Sequence, residues 1–314
     1  MHPAFSVIFL TTLIGAAQGL FLALITAEAF SHIGGLTAQE HSFYSNGSLL
    51  SLGLLIAGLV ASFFHLGRPE RAWRSAAMWR TSWLSREVIA LPAFMGVVFI
   101  YGLLHYLELP ETDLTLMVGI VGVILCFVLF ICTGMIYACL KFLQEWHTPL
   151  TPINYTLLGM SSGFTLATAF ATQYSPELTR MFGTWAIILT LAALLTRTAS
   201  LVRNKRIKYR STMSTAIGVR HNNIQQKSQG SMGGSFNTRE YFHGMSMLFF
   251  KSVKWIFLLL VFPLPLLLIG IGLSTDIAVL LVLAFVVQYA GLIAERWFFF
   301  AQANHPQNLY YQTI

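Results

Sequence analysis

The chain has 314 residues, of which 56% are apolar and only 10% charged, against roughly 25% charged in a soluble domain. That balance excludes a soluble enzyme and leaves an integral membrane protein, a single transmembrane domain over residues 1–314. The formal charge of +7 follows membrane topology and does not point to nucleic acid. The first apolar run lacks the basic flank and small-residue cleavage site of a removed signal peptide, so it is expected to remain as a spanning helix.

Eight apolar runs follow one another, each near the ~20 residues a spanning helix needs. They cover about 4–29, 49–65, 87–106, 114–142, 153–173, 178–201, 253–273 and 276–300. The fold expected is an all-α bundle of eight transmembrane helices. The fifth run is rich in Gly, Ser and Thr, which allow close helix contact. Pro263 and Pro265 are expected to bend the seventh. A polar, basic loop of about 203–250 separates the sixth run from the seventh. Its composition cannot bury a core, and it reads either as a flexible segment drawn to anionic lipid or as a contact for a soluble partner.

The loops after the second, fourth and sixth runs carry five, one and eleven of the nineteen Lys and Arg residues. Arg180 and Arg296 are expected on the opposite side. Basic loops face the cytoplasm, so the second loop and the loop after Arg203 are expected there, with both termini on the non-cytoplasmic side.

The stretch from Phe64 to Glu87 organises the chain. It holds Arg68, Arg71, Arg74, Arg80 and Arg86, with Trp73, Trp79 and Trp83 suited to a membrane–water boundary. His65 closes the second run and Glu87 opens the third, so the two are expected at similar depth. A carboxyl within a spanning helix costs about 2.5–3.5 kcal/mol at its centre and less near an end. Separately, His65 reads as an interfacial residue and Glu87 as a helix-start charge below a Ser85 cap. Together they resemble a proton-accepting pair: a quinol gives up two electrons and two protons, and a neutral imidazole and a carboxylate could take the protons. Gln18, Trp83, Arg86 and Tyr137 are candidates to complete that pocket. Gln18 could equally bond a neighbouring helix, and Tyr137 could belong to an aromatic belt.

No histidine lies in the middle of an apolar run, so a membrane haem is not expected. Cys126, Cys132 and Cys139 lack the spacing of a metal loop or an iron–sulfur run and read as small buried hydrophobes.

Three groups of residues carry a family resemblance. His65 to Pro69 with Thr81 to Glu87, Met135 to Ala138 with Glu145 to Pro152, and Ala294 to Ala301 with His305 to Tyr311 resemble the membrane anchor subunit of dimethyl sulfoxide reductases, the DmsC-like family. The resemblance spans nearly the whole chain apart from the basic loop. It implies a haem-free, multi-pass anchor in the bacterial inner membrane that binds and oxidises menaquinol, with His65 and Glu87 at the quinol site. Its electrons would pass to an iron–sulfur subunit and then to a molybdopterin catalytic subunit, which chooses the terminal substrate. The alternatives are a small-solute transporter, and a structural tether with no quinol site of its own.

Overall fold

Inside a bilayer an apolar run has no hydrogen-bond partner for its backbone except itself, and so closes into a helix. The computed structural model describes residues 1–108, 112–221, 223–225 and 241–306. Among these the regular elements are helical. In order they are α1 (Phe5–His32), α2 (His41–Phe63), a 3₁₀ segment (Pro69–Met78), α3 (Trp83–Tyr106), α4 (Thr112–Ala138), α5 (Leu150–Tyr174), a 3₁₀ turn (Pro176–Leu178), α6 (Thr179–Lys205), a short α7 (Met213–Ile217), α8 (Met247–Val261), α9 (Pro263–Thr275) and α10 (Ala278–Ala301). Most of the expected basic loop after residue 225 lies outside the described residues, as does the end of the chain after Pro306.

Seven stretches are long and apolar enough to cross a membrane: α1, α2, α3, α4, α6 with its preceding turn, α8 joined to α9, and α10. α5 is the exception among the eight expected runs. At 1.5 Å per residue it is about 37 Å long, but its Ser and Thr residues keep it from matching the others in apolar character. Those hydroxyls turn back onto its own carbonyls, as in Thr165 Oγ1 to Ser161 O at 2.9 Å and Thr168 Oγ1 to Phe164 O at 2.8 Å.

α1 is the central helix, packed on α2, α4, α5 and α10. Its contact with α5 is closest, because Gly15 and Gly19 face Gly159 and Gly163. A Cβ built on Gly163 would collide with the backbone of Gly19 and Leu20. Ser51 Oγ donates to Ala17 O at 3.0 Å and ties α2 to the same helix.

The seventh run breaks where Pro was expected to break it. α8 stops at Val261 and α9 restarts at Pro263, whose missing N–H costs nothing at a helix start. Pro265 cannot donate to Val261 O four residues back. Gln288 Nε2 on α10 approaches that carbonyl at 3.4 Å and also donates to Thr190 Oγ1 on α6 at 3.2 Å.

The helices alternate between two ends of the bundle. At one end Met1 N donates to Ala303 O at 2.9 Å, and Glu145 Oε1 accepts from Asn304 N at 3.1 Å and from Tyr209 Oη at 2.7 Å. Arg203 Nη1 donates to Gln144 O at 2.9 Å. At the other end Thr37 Oγ1 donates to Glu177 Oε2 at 2.7 Å, and His41 Nδ1 lies 3.2 Å from His105 Nδ1. The amino terminus, the end of α10 and the three basic loops therefore share one end. The expectation that the amino terminus lies opposite those loops is corrected, because an even number of traverses separates it from each of them, while the carboxy terminus itself lies outside the described residues. Arg296 is corrected as well. It sits within two turns of the end of α10, on the basic half of the bundle, and leaves Arg180 opposite.

Candidate functional site

α3 begins at Trp83, one turn before Glu87, and its cap is Ser82 in place of the expected Ser85: Ser82 Oγ accepts from Ser85 N at 3.4 Å. This extra turn draws Glu87 inside the bundle, where it is 8% exposed. Thr133 Oγ1 on α4 donates to its Oε1 at 2.5 Å, and among the described residues no hydrogen bond reaches Oε2. Tyr137 lies one turn beyond Thr133 on the same face of α4, within electrostatic range of the Glu87 carboxyl, as are Cys132 and Tyr155. The arrangement is a carboxyl gripped at one oxygen and open at the other, next to a phenol. It can accept or donate one proton.

Tyr137 sits in an aromatic cage. Its ring stacks on Tyr155 with centroids 5.5 Å apart and meets Trp146, Phe299 and Phe300 edge-on at 5.3–5.5 Å. Trp146 is fixed in turn by donating Nε1 to Phe299 O at 3.0 Å.

The other expected residues are placed differently. Gln18 gives its amide N–H to Cys126 O on α4 at 2.8 Å. Cys126 lies seven residues before Thr133, about 10 Å deeper along the helix, so Gln18 ties α1 to α4 and is not brought to Glu87. Arg86 stacks on Trp83 at 4.2 Å and donates Nε to Trp79 O at 2.9 Å and Nη2 to Arg80 O at 2.8 Å. The pair closes the end of the 3₁₀ segment and clamps the arginine-rich loop to α3. His65 lies two residues past α2, exposed, with no hydrogen bond or ion pair to Glu87. The protein around it holds the imidazole below its usual value through desolvation, so the ring is neutral and able to accept a proton at pH 7.

Sequence reasoning noted Glu295 and Arg296 but not what they join. Arg197 on α6 is 1% exposed, Glu295 1% and Arg296 4%. Arg197 Nε lies 2.8 Å from Glu295 Oε1, and Arg296 Nη1 lies 3.2 Å from Glu295 Oε2. The Arg296 guanidinium sits 3.5 Å above the centre of the Tyr155 ring. A buried ionic triad thus runs into the aromatic cage around Tyr137. Three charges inside apolar runs were a usable signal, but their pairing across α6 and α10 has no sequence spacing to reveal it. At the opposite end Glu28 is held by Tyr101 Oη at 2.8 Å, Thr115 Oγ1 at 2.5 Å and His105 Nε2 at 3.4 Å. With both oxygens engaged, it ties α1, α3 and α4 together, far from Glu87.

The model of the family described as DMSO reductase anchor subunit (DmsC) matches residues 1–311. The chain is 56% identical, over the full length of both proteins, to the C subunit of the sulfite dehydrogenase of Allochromatium vinosum. It is 24% identical to the C polypeptide of the anaerobic dimethyl sulfoxide reductase of Haemophilus influenzae, over 52% of this chain and 56% of that one.

Proposed function

This chain belongs to the DMSO reductase anchor subunit (DmsC) family, and from that membership we propose that it exchanges electrons and protons between menaquinone and a molybdoenzyme that oxidises sulfite. The observation that carries the quinone reading is Glu87, buried, held at Oε1 by Thr133 and open at Oε2. An intramembrane carboxyl marks a functional site by default, and this one is pre-oriented towards a ring oxygen. The direction of electron flow rests on the full-length similarity to a sulfite dehydrogenase subunit.

Sulfite and water yield sulfate, two electrons and two protons. Iron–sulfur and molybdopterin subunits bound to this anchor would collect those electrons and deliver them to the ring. Reducing the quinone then requires two protons at its oxygens. Glu87 supplies them one at a time through Oε2, taking up a proton from water between the two transfers, while Thr133 keeps the carboxyl aimed. The exposed His65, neutral at pH 7, has no bond to Glu87 and reaches it only through intervening water, along which protons pass. The same groups run in reverse as proton acceptors when quinol is oxidised. α5 completes an eighth crossing, shielded from lipid on the faces it presents to α1 and α6. The basic end faces the cytoplasm by the charge rule, with the soluble subunits docked there.

The test is sulfite-dependent menaquinone reduction by the complex with Glu87→Gln. Quinone reduction should fall while sulfite-dependent reduction of an artificial dye persists. Unchanged quinone rates would remove Glu87 from the site. A second reading, quinol oxidation linked to S-oxide reduction, is favoured by the family description and the second relative. Quinol-dependent turnover of dimethyl sulfoxide without sulfite oxidation would select it.

A further inference from the structure

Where α6 ends and α8 begins, the two helices leave a groove of about 460 Å³ at the basic end of the bundle. Lys205 borders it from the last turn of α6, and Lys251 and Lys254 border it from the first turns of α8. Lys251, Lys254 and Leu258 recur at helical spacing and so share one face of α8. Past the lysines the walls turn apolar, with Leu201, Leu258 and Phe298. Trp255, 68% exposed, stands at the transition with the Lys254 ammonium 5.6 Å from its ring centre. Cation, then tryptophan, then hydrocarbon is the order met on going from water into a bilayer.

None of the three lysines is paired with an acid among the described residues. Glu145, the acid in the lining, spends Oε1 on Tyr209 and Asn304. Three ammoniums against one carboxylate leave the groove positive. Asn204 and Gln302 also line the groove, and their Nδ2 and Nε2 atoms, like Glu145 Oε2, are buried with no hydrogen-bond partner among the described residues. The Asn204 orientation is fixed, because its Oδ1 accepts from Arg203 Nη1 at 2.9 Å.

We propose that this groove binds an anionic glycerophospholipid. The lysines hold its phosphate, and an acyl chain lies along Leu258 and Leu201. The apolar floor selects a lipid over free phosphate, and a basic pocket between membrane helices suits an acidic headgroup.

The experiment is native mass spectrometry of the full-length chain, delipidated in neutral detergent and titrated with dioleoylphosphatidylglycerol or dioleoylphosphatidylcholine. The phosphatidylglycerol adduct should dominate and should fall roughly tenfold or more in K251Q/K254Q. It should persist in K251R/K254R, with helix content by circular dichroism equal in both variants. Equal adducts of the two lipids, or an unaltered phosphatidylglycerol adduct in K251Q/K254Q, would overturn the proposal. Competition by inorganic phosphate would assign the groove to a free anion. Displacement of the lipid by a copurifying soluble subunit would assign the lysines to a protein contact. Either result sinks the lipid site, and should K251Q/K254Q fail to fold, the wild-type lipid preference and K251R/K254R still decide.

Discussion

Glu87 and Thr133 divide one task between them. In the proposed quinone reaction the carboxyl moves the proton and the hydroxyl aims it, so the two substitutions should differ in kind. Glu87→Gln keeps the volume and removes the titratable group. Since a positioned acid or base contributes about 10²–10⁴-fold, quinone-dependent turnover should fall into that range while dye-coupled activity survives. Thr133→Val keeps the shape and deletes one hydrogen bond to a charged group, worth about 1.5–3 kcal/mol. Its quinone-dependent rate should drop roughly tenfold to a hundredfold, and the pH–rate profile should shift because the carboxyl remains. A pH profile identical to wild type would show that Thr133 does not act through Glu87. Glu87 was legible from the sequence because an intramembrane acid stands out. Thr133 was not, since a threonine in an apolar run is ordinary and its partner lies 46 positions away. The expected similar depth of His65 and Glu87 rested on matched helix ends. The earlier start of α3 draws Glu87 inwards, whereas His65 stays beyond the end of α2.

Helix spans were readable wherever hydropathy alone decides them, and their ends were misjudged where polar residues are buried. α2 starts at His41, ahead of the apolar run, because Phe43 and Tyr44 pack into the core beside Phe170, Phe182 and His105. α5 was recognisable as a close-packing helix from its small residues, and that property explains why it is less apolar than its neighbours: an interior helix meets protein on most sides. Gly163→Ala tests this. The added methyl has only the backbone of α1 to push against, and overpacking of this kind costs about 1–3 kcal/mol. The purified protein should melt several degrees lower. Gly53→Ala, where a Cβ meets nothing within 4 Å, should melt like wild type. Equal melting of both would mean that α1 and α5 are not in backbone contact. The ionic triad sets a larger scale. Glu295→Gln leaves Arg197 and Arg296 buried without their counter-charge, a loss of about 3–5 kcal/mol. Poor accumulation in the membrane should follow, read by immunoblot against Glu177→Gln, whose parent side chain is exposed.

The basic end is closed by Met1 against Ala303 just past α10, and this closure has a pH signature. Burial pushes the Met1 amino group down to about 6, with Glu145 opposing the shift. Desolvation first, and then the same amine, lowers the His243 and His305 imidazoles. For a base whose folded value is depressed, the unfolded chain binds more protons between the two values. Stability therefore falls as pH drops from about 8 to about 6, by at most about 2–3 kcal/mol for the amine alone, and thermal melts across that window should show it. The same closure fixes the topology. The clustering of basic residues in three loops was readable from the sequence, but Arg296 and the amino terminus were placed at the end opposite those loops, whereas after each even-numbered traverse the chain returns to the end where it began. With the basic end in the cytoplasm, single cysteines in a background lacking Cys139 should sort into two groups. His2→Cys and Arg210→Cys should both resist an impermeant maleimide on intact cells and react once the membrane is opened. Gln39→Cys, in the loop between α1 and α2, should react on intact cells. Labelling of His2→Cys and Gln39→Cys from the same side would break the alternation of α1. Labelling of His2→Cys and Arg210→Cys from opposite sides would mean that an odd number of helices crosses between them, so that α5, the least apolar of the traverses, does not span the bilayer.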